Sequence, residues 1–427
     1  MPSEEKRRRL KSIAAGSVGN LIEWYDWYVY SAFAFYFAKS FFPKGDQTAQ
    51  LLNSAAVFAI GFLARPLGGW LMGVYADRHG RKNALLLSIG LMCAGSLIIA
   101  LAPSYGVIGI AAPVLLVFAR VMQGLSIGGE YGTSATYLSE VASKDHRGFY
   151  SSFQYVTIIA GQLLALSLLI VMQNFILSEQ QLESFGWRIP FVIGAAFAIV
   201  ALSLRRSMDE TPSFQHMPKE SSRQSSLRML MQNPRAIITV VGLTVGGTVA
   251  FYTYTIYMQK FLANTAGMSK ELATLISGGA LLLSAMLQPA VGALSDRVGR
   301  RPVLITFGIL GTIFTVPIMH AVSHTHEPIE AFLLIMASLV IVSFYTAISA
   351  VVKAELFPTK VRALGVALPY ALTVSIFGGS AEYVALWLKK IGKEPWFYWY
   401  VTACILCSLV FYIVTPDTKK FSKITEP

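Results

Sequence analysis

Four residues set inside long apolar stretches carry the charge that any chemistry of this chain would use: Asp26, Arg65, Arg120 and Lys353. A charge at membrane depth costs at least about 2.5 to 3.5 kcal/mol, so each needs a partner or a water-filled cavity. Asp26 follows Glu23 by about one helical turn and shares its face with Asn20 and Tyr30. A carboxyl there can take and release a proton, and Glu130 is a further candidate for that role. Counted in from the ends of consecutive antiparallel stretches, Asp26 and Arg65 come to similar depth, which predicts an ion pair; a permanent pair that only satisfies two charges is the alternative.

Arg120 lies well inside its stretch and is followed by Gly124, Gly128 and Gly129, small residues that allow a neighbouring helix to approach closely. Lys353 stands beside Ser349 and a few turns from Tyr345, either snorkelling to the interface or facing an anion. A dianion with two separated carboxylates needs two separated cations, one on each side of it. Arg120 and Lys353 would meet that need from opposite halves of the chain. Tyr252, Tyr254 and Tyr257, with Gln154 and Gln162, offer polar tips for a cavity wall, although at most two of the three tyrosines face one way.

The elements that position these residues are helices that cross a membrane. The chain has 427 residues, 54% hydrophobic and 14% charged, a balance that a water-soluble protein of this length does not reach. About 20 residues cross a bilayer as a helix. Twelve such stretches are readable: about 16–42, 51–75, 84–102, 110–140, 148–174 and 187–206, then 235–262, 270–293, 302–321, 329–354, 361–388 and 395–415. Between them lies a polar, Ser- and Lys/Arg-rich segment punctuated by Pro212, Pro218 and Pro234, which reads as a linker. The expected organisation is a six-helix bundle over 1–206, a linker over 207–234 and a second bundle over 235–427.

A repeat supports the two halves. Gly73-Val-Tyr-Ala-Asp77-Arg-His-Gly80-Arg81-Lys82 returns as Gly292-Ala-Leu-Ser-Asp296-Arg-Val-Gly299-Arg300-Arg301, each at a tight basic turn between two apolar stretches. Glu140 ahead of Arg147 and Glu355 ahead of Arg362 repeat at matching spacing. An even number of helices per half makes the repeats parallel, related by an axis along the membrane normal. Asp77 with Arg81, Asp296 with Arg300, and the two Glu/Arg pairs read as latches that hold one side shut; ordinary loop structure is the alternative for the latter.

The formal charge of +12 is concentrated in the N-terminus, the motif turns, the linker and the C-terminus, a positive-inside pattern rather than a nucleic-acid surface. It places both termini and the motif turns in the cytoplasm. Cys93, Cys404 and Cys407 all lie in apolar stretches, so no disulfide is expected, and the spacing of the last two reads as packing. His320, His324 and His326 lack a carboxylate frame, so no metal is expected. Arg188, beside Pro190, reads as structural. The absence of a phosphate-binding loop makes ATP drive unexpected, and no cofactor is called for beyond protons as coupling ion.

Two six-helix halves with GxxxDxxGR(K/R) in each resemble the major facilitator superfamily. Within it, Gly19-Asn20-Leu-Ile-Glu23-Trp-Tyr-Asp26, Arg65-Pro66-Leu-Gly68-Gly69, Gly128-Gly129-Glu130-Tyr131-Gly132, Gly186-Trp187-Arg188-Ile-Pro190-Phe191 and Glu355-Leu-Phe-Pro358 are similar to the metabolite:proton symporters. The resemblance, closest to the α-ketoglutarate-carrying branch, covers nearly the whole chain and includes Phe377-Gly-Gly-Ser-Ala-Glu382. It implies an all-α twelve-helix facilitator fold with a pseudo-twofold axis, alternating access, and symport of α-ketoglutarate or a related dicarboxylate with protons. It also implies that the Arg of the RxxxG context, here Arg120, faces the cavity and influences an acid on the first helix, here Asp26.

A monomer in a bacterial inner membrane is the setting implied by the resemblance and by the absence of an N-x-(S/T) site. Other substrates stay open: a zwitterionic osmolyte such as proline or betaine, or an aromatic acid such as shikimate. A membrane enzyme or receptor without transport is the remaining alternative.

Overall fold

The computed structural model describes residues 20–79, 81–128, 135, 138–139, 142, 144–206, 230–358 and 362–424. Glu130, Glu140, the N-terminal Lys/Arg cluster and most of the linker lie outside the described residues, as do the side chains of Asp77 and Arg81.

Twelve main helical stretches are found among the described residues. α1 covers 20–32 and, after a turn at Phe33, Ala34–Phe41. α2 is Gln47–His79, α3 Arg81–Leu101, α4 Ala111–Ile127, α5 Arg147–Val171 and α6 Ile189–Arg206. In the second half, α7 is Pro234–Asn264, α8 Lys270–Val298, α9 Arg300–His324, α10 Pro328–Glu355, α11 Arg362–Lys390 and α12 Pro395–Val414. Eight helices among the described residues are long and apolar enough to cross a membrane, and shorter apolar helices cover Leu86–Leu101, Ala111–Ile127 and Gly186–Val200. The boundaries match the sequence pattern to within a few residues, except that α2 and α8 run on into their motif turns and that α4, expected to about 140, is described only as far as Ile127.

Packing repeats between the halves. α2 lies on α4 and α3 on α6, as α8 lies on α10 and α9 on α12. The contacts between halves are paired in the same way, α5 with α8 and α2 with α11. That correspondence is a pseudo-twofold relation, and it puts α1, α2, α5, α7, α8 and α11 along the seam.

Small residues set the closest approaches. A side chain at Gly124 would run into the Gly61 carbonyl, and one at Gly128 into that of Arg65, so the glycine run after Arg120 seats α4 on α2. Across the seam, Gly148 of α5 and Gly292 of α8 leave no room for a Cβ on either backbone.

α7 and α11 are interrupted by π turns at Thr253–Tyr257 and Val374–Gly378. Such a turn widens the helix and frees carbonyls from the main-chain ladder. Thr253 and Thr255 hydroxyls donate to the carbonyls of Val249 and Phe251, each at 2.7 Å. The freed Thr255 carbonyl accepts from Gln162 of α5, a bond between halves.

Candidate functional site

Asp26, Arg120 and the residues between them form one hydrogen-bonded chain. Arg120 Nη1 donates to Gln123 Oε1 at 2.8 Å, Gln123 Nε2 donates to Ser96 Oγ at 2.9 Å, and Ser96 Oγ donates to Asp26 Oδ2. All four are 0% exposed: Arg120 and Gln123 are three apart on one face of α4, Ser96 presents from α3, and Asp26 from α1. Asp26 Oδ1 rests where α6 has only a glycine, since a Cβ at Gly194 would lie 2.1 Å from it. The carboxylate is therefore seated among α1, α3 and α6, and communicates with Arg120 through two neutral side chains rather than through a direct ion pair.

The expected Asp26–Arg65 pair does not form. Asp26 turns toward α3 and α6, while one residue on, Trp27 turns toward α2, because successive helical residues point about 100° apart. Arg65 meets the second face. Its guanidinium lies 5.3 Å from the Trp24 ring, 6.0 Å from Trp27 and 5.2 Å from Phe62. Its charge also acts on Tyr252 of α7, in the other half. The Arg120 guanidinium sits 3.9 Å over Trp27 and 4.5 Å from Tyr30. Each such stack contributes about 0.5 to 2 kcal/mol and holds the plane of a cation without neutralising it.

Lys353 is buried in the second half. Its Nζ donates to Ser349 Oγ at 2.7 Å and lies 4.0 Å over the Tyr370 ring and 5.7 Å from Tyr345. Snorkelling is thereby excluded as its arrangement here. Tyr370 and Tyr252 both feel the charge of Arg65, and Tyr370 reaches Tyr155 of α5. Arg65 and Lys353 thus adjoin the same group of tyrosines, Arg65 through its charge on Tyr28, Tyr252 and Tyr370 and Lys353 over the Tyr370 ring, whereas Arg120 stacks on Trp27 and Tyr30.

The three α7 tyrosines separate. Tyr252 faces the seam, 5.2 Å from Phe62, whereas Tyr254 donates to Thr315 of α9 at 3.1 Å. Tyr257, expected in the cavity wall, instead packs on Phe397 and donates to Glu394 at 3.4 Å, because five residues after Tyr252 it comes round to a different face of α7. Tyr345 is buried against Phe307, and Gln154 is 0% exposed at the seam. Glu23 is buried one turn from Asp26. Cys404 and Cys407 carry free thiols.

On the motif side Asp296 joins the two halves by hydrogen bonds and is itself paired with Arg300. Asp296 accepts the Gly148 and Phe149 amides at 2.8 and 2.9 Å, capping the N-terminus of α5 from the other half. Arg300 binds Asp296 at 2.8 Å and Glu355 at 3.7 Å, and the charge of Arg147 also acts on Glu355. Arg362, expected to latch Glu355, spends its Nε on the Phe357 carbonyl at 3.1 Å and its Nη2 on that of Lys423 at 3.0 Å. Its fork matches two carbonyls of the chain that folds under α10. Arg188 holds the Ala100 and Ala102 carbonyls at 2.8 and 2.7 Å, closing the end of α3. His326 and His324 bond backbone carbonyls, and no group of His, Cys, Asp or Glu suited to a metal occurs among the described residues.

Several participants escaped the sequence reading. Gln123 had a signal, its place three residues after Arg120; Ser96 and Tyr28 had none, being ordinary residues of apolar helices. Lys260 and Glu382, a buried pair between α7 and α11, each stand near the end of an apolar stretch, where charges are common and carry little signal.

A sequence model of the sugar (and other) transporter family matches residues 12–225 and again residues 215–425. The α-ketoglutarate permease of Escherichia coli (strain K12) is 54% identical over 97% of this chain and 95% of its own length. The citrate-proton symporter of Salmonella typhi is 32% identical over 96% and 94%, and the proline/betaine transporter of Salmonella typhimurium 33% identical over 92% and 81%. The crystal structure of a D-xylose-proton symporter superposes with a TM-score of 0.76 over 96% of this chain and 98% of that one, at 20% identity.

Proposed function

This chain belongs to the sugar (and other) transporter family within the major facilitator superfamily, and we propose that it is a symporter importing α-ketoglutarate, or a closely related dicarboxylate, with protons by alternating access. The observation that carries the substrate class is the full-length 54% identity to a permease for α-ketoglutarate, which the buried cations on both sides of the seam then rationalise. Arg65 and Lys353 come from different halves and approach one tyrosine layer, so a dianion placed there joins the halves as they close. Gln154, Gln162, Tyr252 and Tyr345 complete its surroundings.

Coupling follows from the Arg120 chain. A substrate carboxylate that draws Arg120 from Gln123 withdraws positive charge from the neighbourhood of Asp26. A buried carboxylate left without its cation is costly, and a proton from outside neutralises it. Substrate and proton then travel together. At 100 mV, inside negative, bringing in a dianion costs about 4.6 kcal/mol, and two protons make the step electroneutral. The latch of Asp296, Arg300, Glu355 and Arg147 closes the motif side, assigned to the cytoplasm by its Lys and Arg, and breaks when that side opens. The bacterial inner membrane, both termini inward, one chain acting alone, and the division into bundles over 1–206 and 235–427 belong to the same proposal.

Substrate competition tests it. In proteoliposomes with an inward proton gradient, labelled α-ketoglutarate is taken up, succinate competes, and betaine and proline do not. Competition by betaine in place of succinate assigns the chain to the zwitterion carriers and overturns the dicarboxylate reading.

A further inference from the structure

A second acid and cation lie buried outside the Arg120 chain. Lys260 of α7 and Glu382 of α11 form an ion pair at 2.9 Å, their side chains 0% and 5% exposed. Both belong to the second half, and Ser31 of α1 joins them from the first: Lys260 Nζ donates to Ser31 Oγ at 2.6 Å, and Ser31 Oγ donates to Glu382 Oε2 at 3.3 Å. The site lies on the side of the seam away from the motif turns, a turn or two beyond the π turns of α7 and α11. Asn264 with Thr48, at 3.3 Å, closes the seam still farther out.

The groups that face Glu382 are Lys260 and Tyr257 from α7 and Tyr30 from α1, while α2 presents the apolar Phe62 to the neighbouring Gly379. Tyr30 also feels Arg120, so the pair adjoins the chain that ends at Asp26.

Packing alone does not call for this pair, since apolar residues of similar volume replace a buried ion pair with little loss or a gain in stability. Its place on the seam supplies another reason. When the far side opens, α1 parts from α7 and α11 and carries Ser31 away. Water and substrate then reach a cation and a carboxylate held on the second half.

We propose that Lys260 and Glu382 are a second charge-exchange site: an entering substrate carboxylate takes Lys260, and Glu382, released from it, accepts a proton that crosses with the substrate. When the substrate leaves, Lys260 returns to Glu382 and the proton passes into the emptied cavity. The two protons of an electroneutral dianion cycle then have one acid each, Asp26 and Glu382. The inference rests on the dicarboxylate reading of the central site.

The test measures α-ketoglutarate and proton influx together in proteoliposomes held at zero membrane potential. Wild type takes about two protons per substrate, and Glu382→Gln takes about one, with slower uptake. The double variant Lys260→Met/Glu382→Gln removes both charges, so no cation is stranded in the core, and it also takes about one. A ratio that stays at about two in the double variant overturns the inference while leaving the central site intact. A wild type that carries no α-ketoglutarate overturns both.

Discussion

Arg120→Ala lowers the initial rate of α-ketoglutarate uptake by about 100-fold or more at matched protein in the membrane, because removing one partner of a buried charge network costs about 3 to 5 kcal/mol and each 1.4 kcal/mol is a factor of ten. The guanidinium holds Gln123 at 2.8 Å and stacks 3.9 Å over Trp27, two contacts that depend on a flat, forked cation. Arg120→Lys keeps the charge and loses both. It is therefore expected to recover little of the rate, which separates loss of geometry from loss of charge. A thermal melt of the purified variants accompanies the assay, and a folded Arg120→Lys protein with near wild-type uptake contradicts the role given to the Gln123–Ser96–Asp26 chain.

Lys353→Met raises the KM for α-ketoglutarate by roughly 10- to 150-fold, the equivalent of one charged hydrogen bond at about 1.5 to 3 kcal/mol. Met keeps the length of the stem against the Tyr370 face and removes the ammonium that Ser349 now accepts from. Loss of a cation that meets one carboxylate weakens a dicarboxylate more than a monocarboxylate of the same length. Inhibition constants for the two, measured on the variant and on wild type, give that difference directly. Equal weakening of both assigns Lys353 to packing instead.

The parts of this arrangement that were legible in the sequence are those that follow from spacing alone. The motif at Gly73 and Gly292 placed the turns, the apolar stretches placed the helices, and burial cost singled out Asp26, Arg65, Arg120 and Lys353. Partners were less legible, since depth along a helix does not fix the face. Asp26 and Arg65 share a depth, yet Asp26 turns to Ser96 and Gly194 while Arg65 turns to the rings of Trp24 and Phe62. Tyr257 stands off the cavity wall for a related reason: five residues after Tyr252 it comes round to another face of α7, where Phe397 and Glu394 meet it. Lys260 and Glu382 form a pair only because α7 and α11 meet at the seam, a contact between residues 122 positions apart in a chain whose helices repeat at much shorter range.

The most direct test of proton coupling through Asp26 is accumulation of α-ketoglutarate driven by an imposed pH gradient at zero membrane potential, in wild type and Asp26→Asn proteoliposomes. Wild type concentrates the substrate above the external level, whereas Asp26→Asn, left with the single proton assigned to Glu382, concentrates it markedly less at the same gradient. Accumulation by Asp26→Asn equal to that of wild type contradicts the assignment of the proton to Asp26, and wild-type uptake insensitive to the gradient contradicts symport itself.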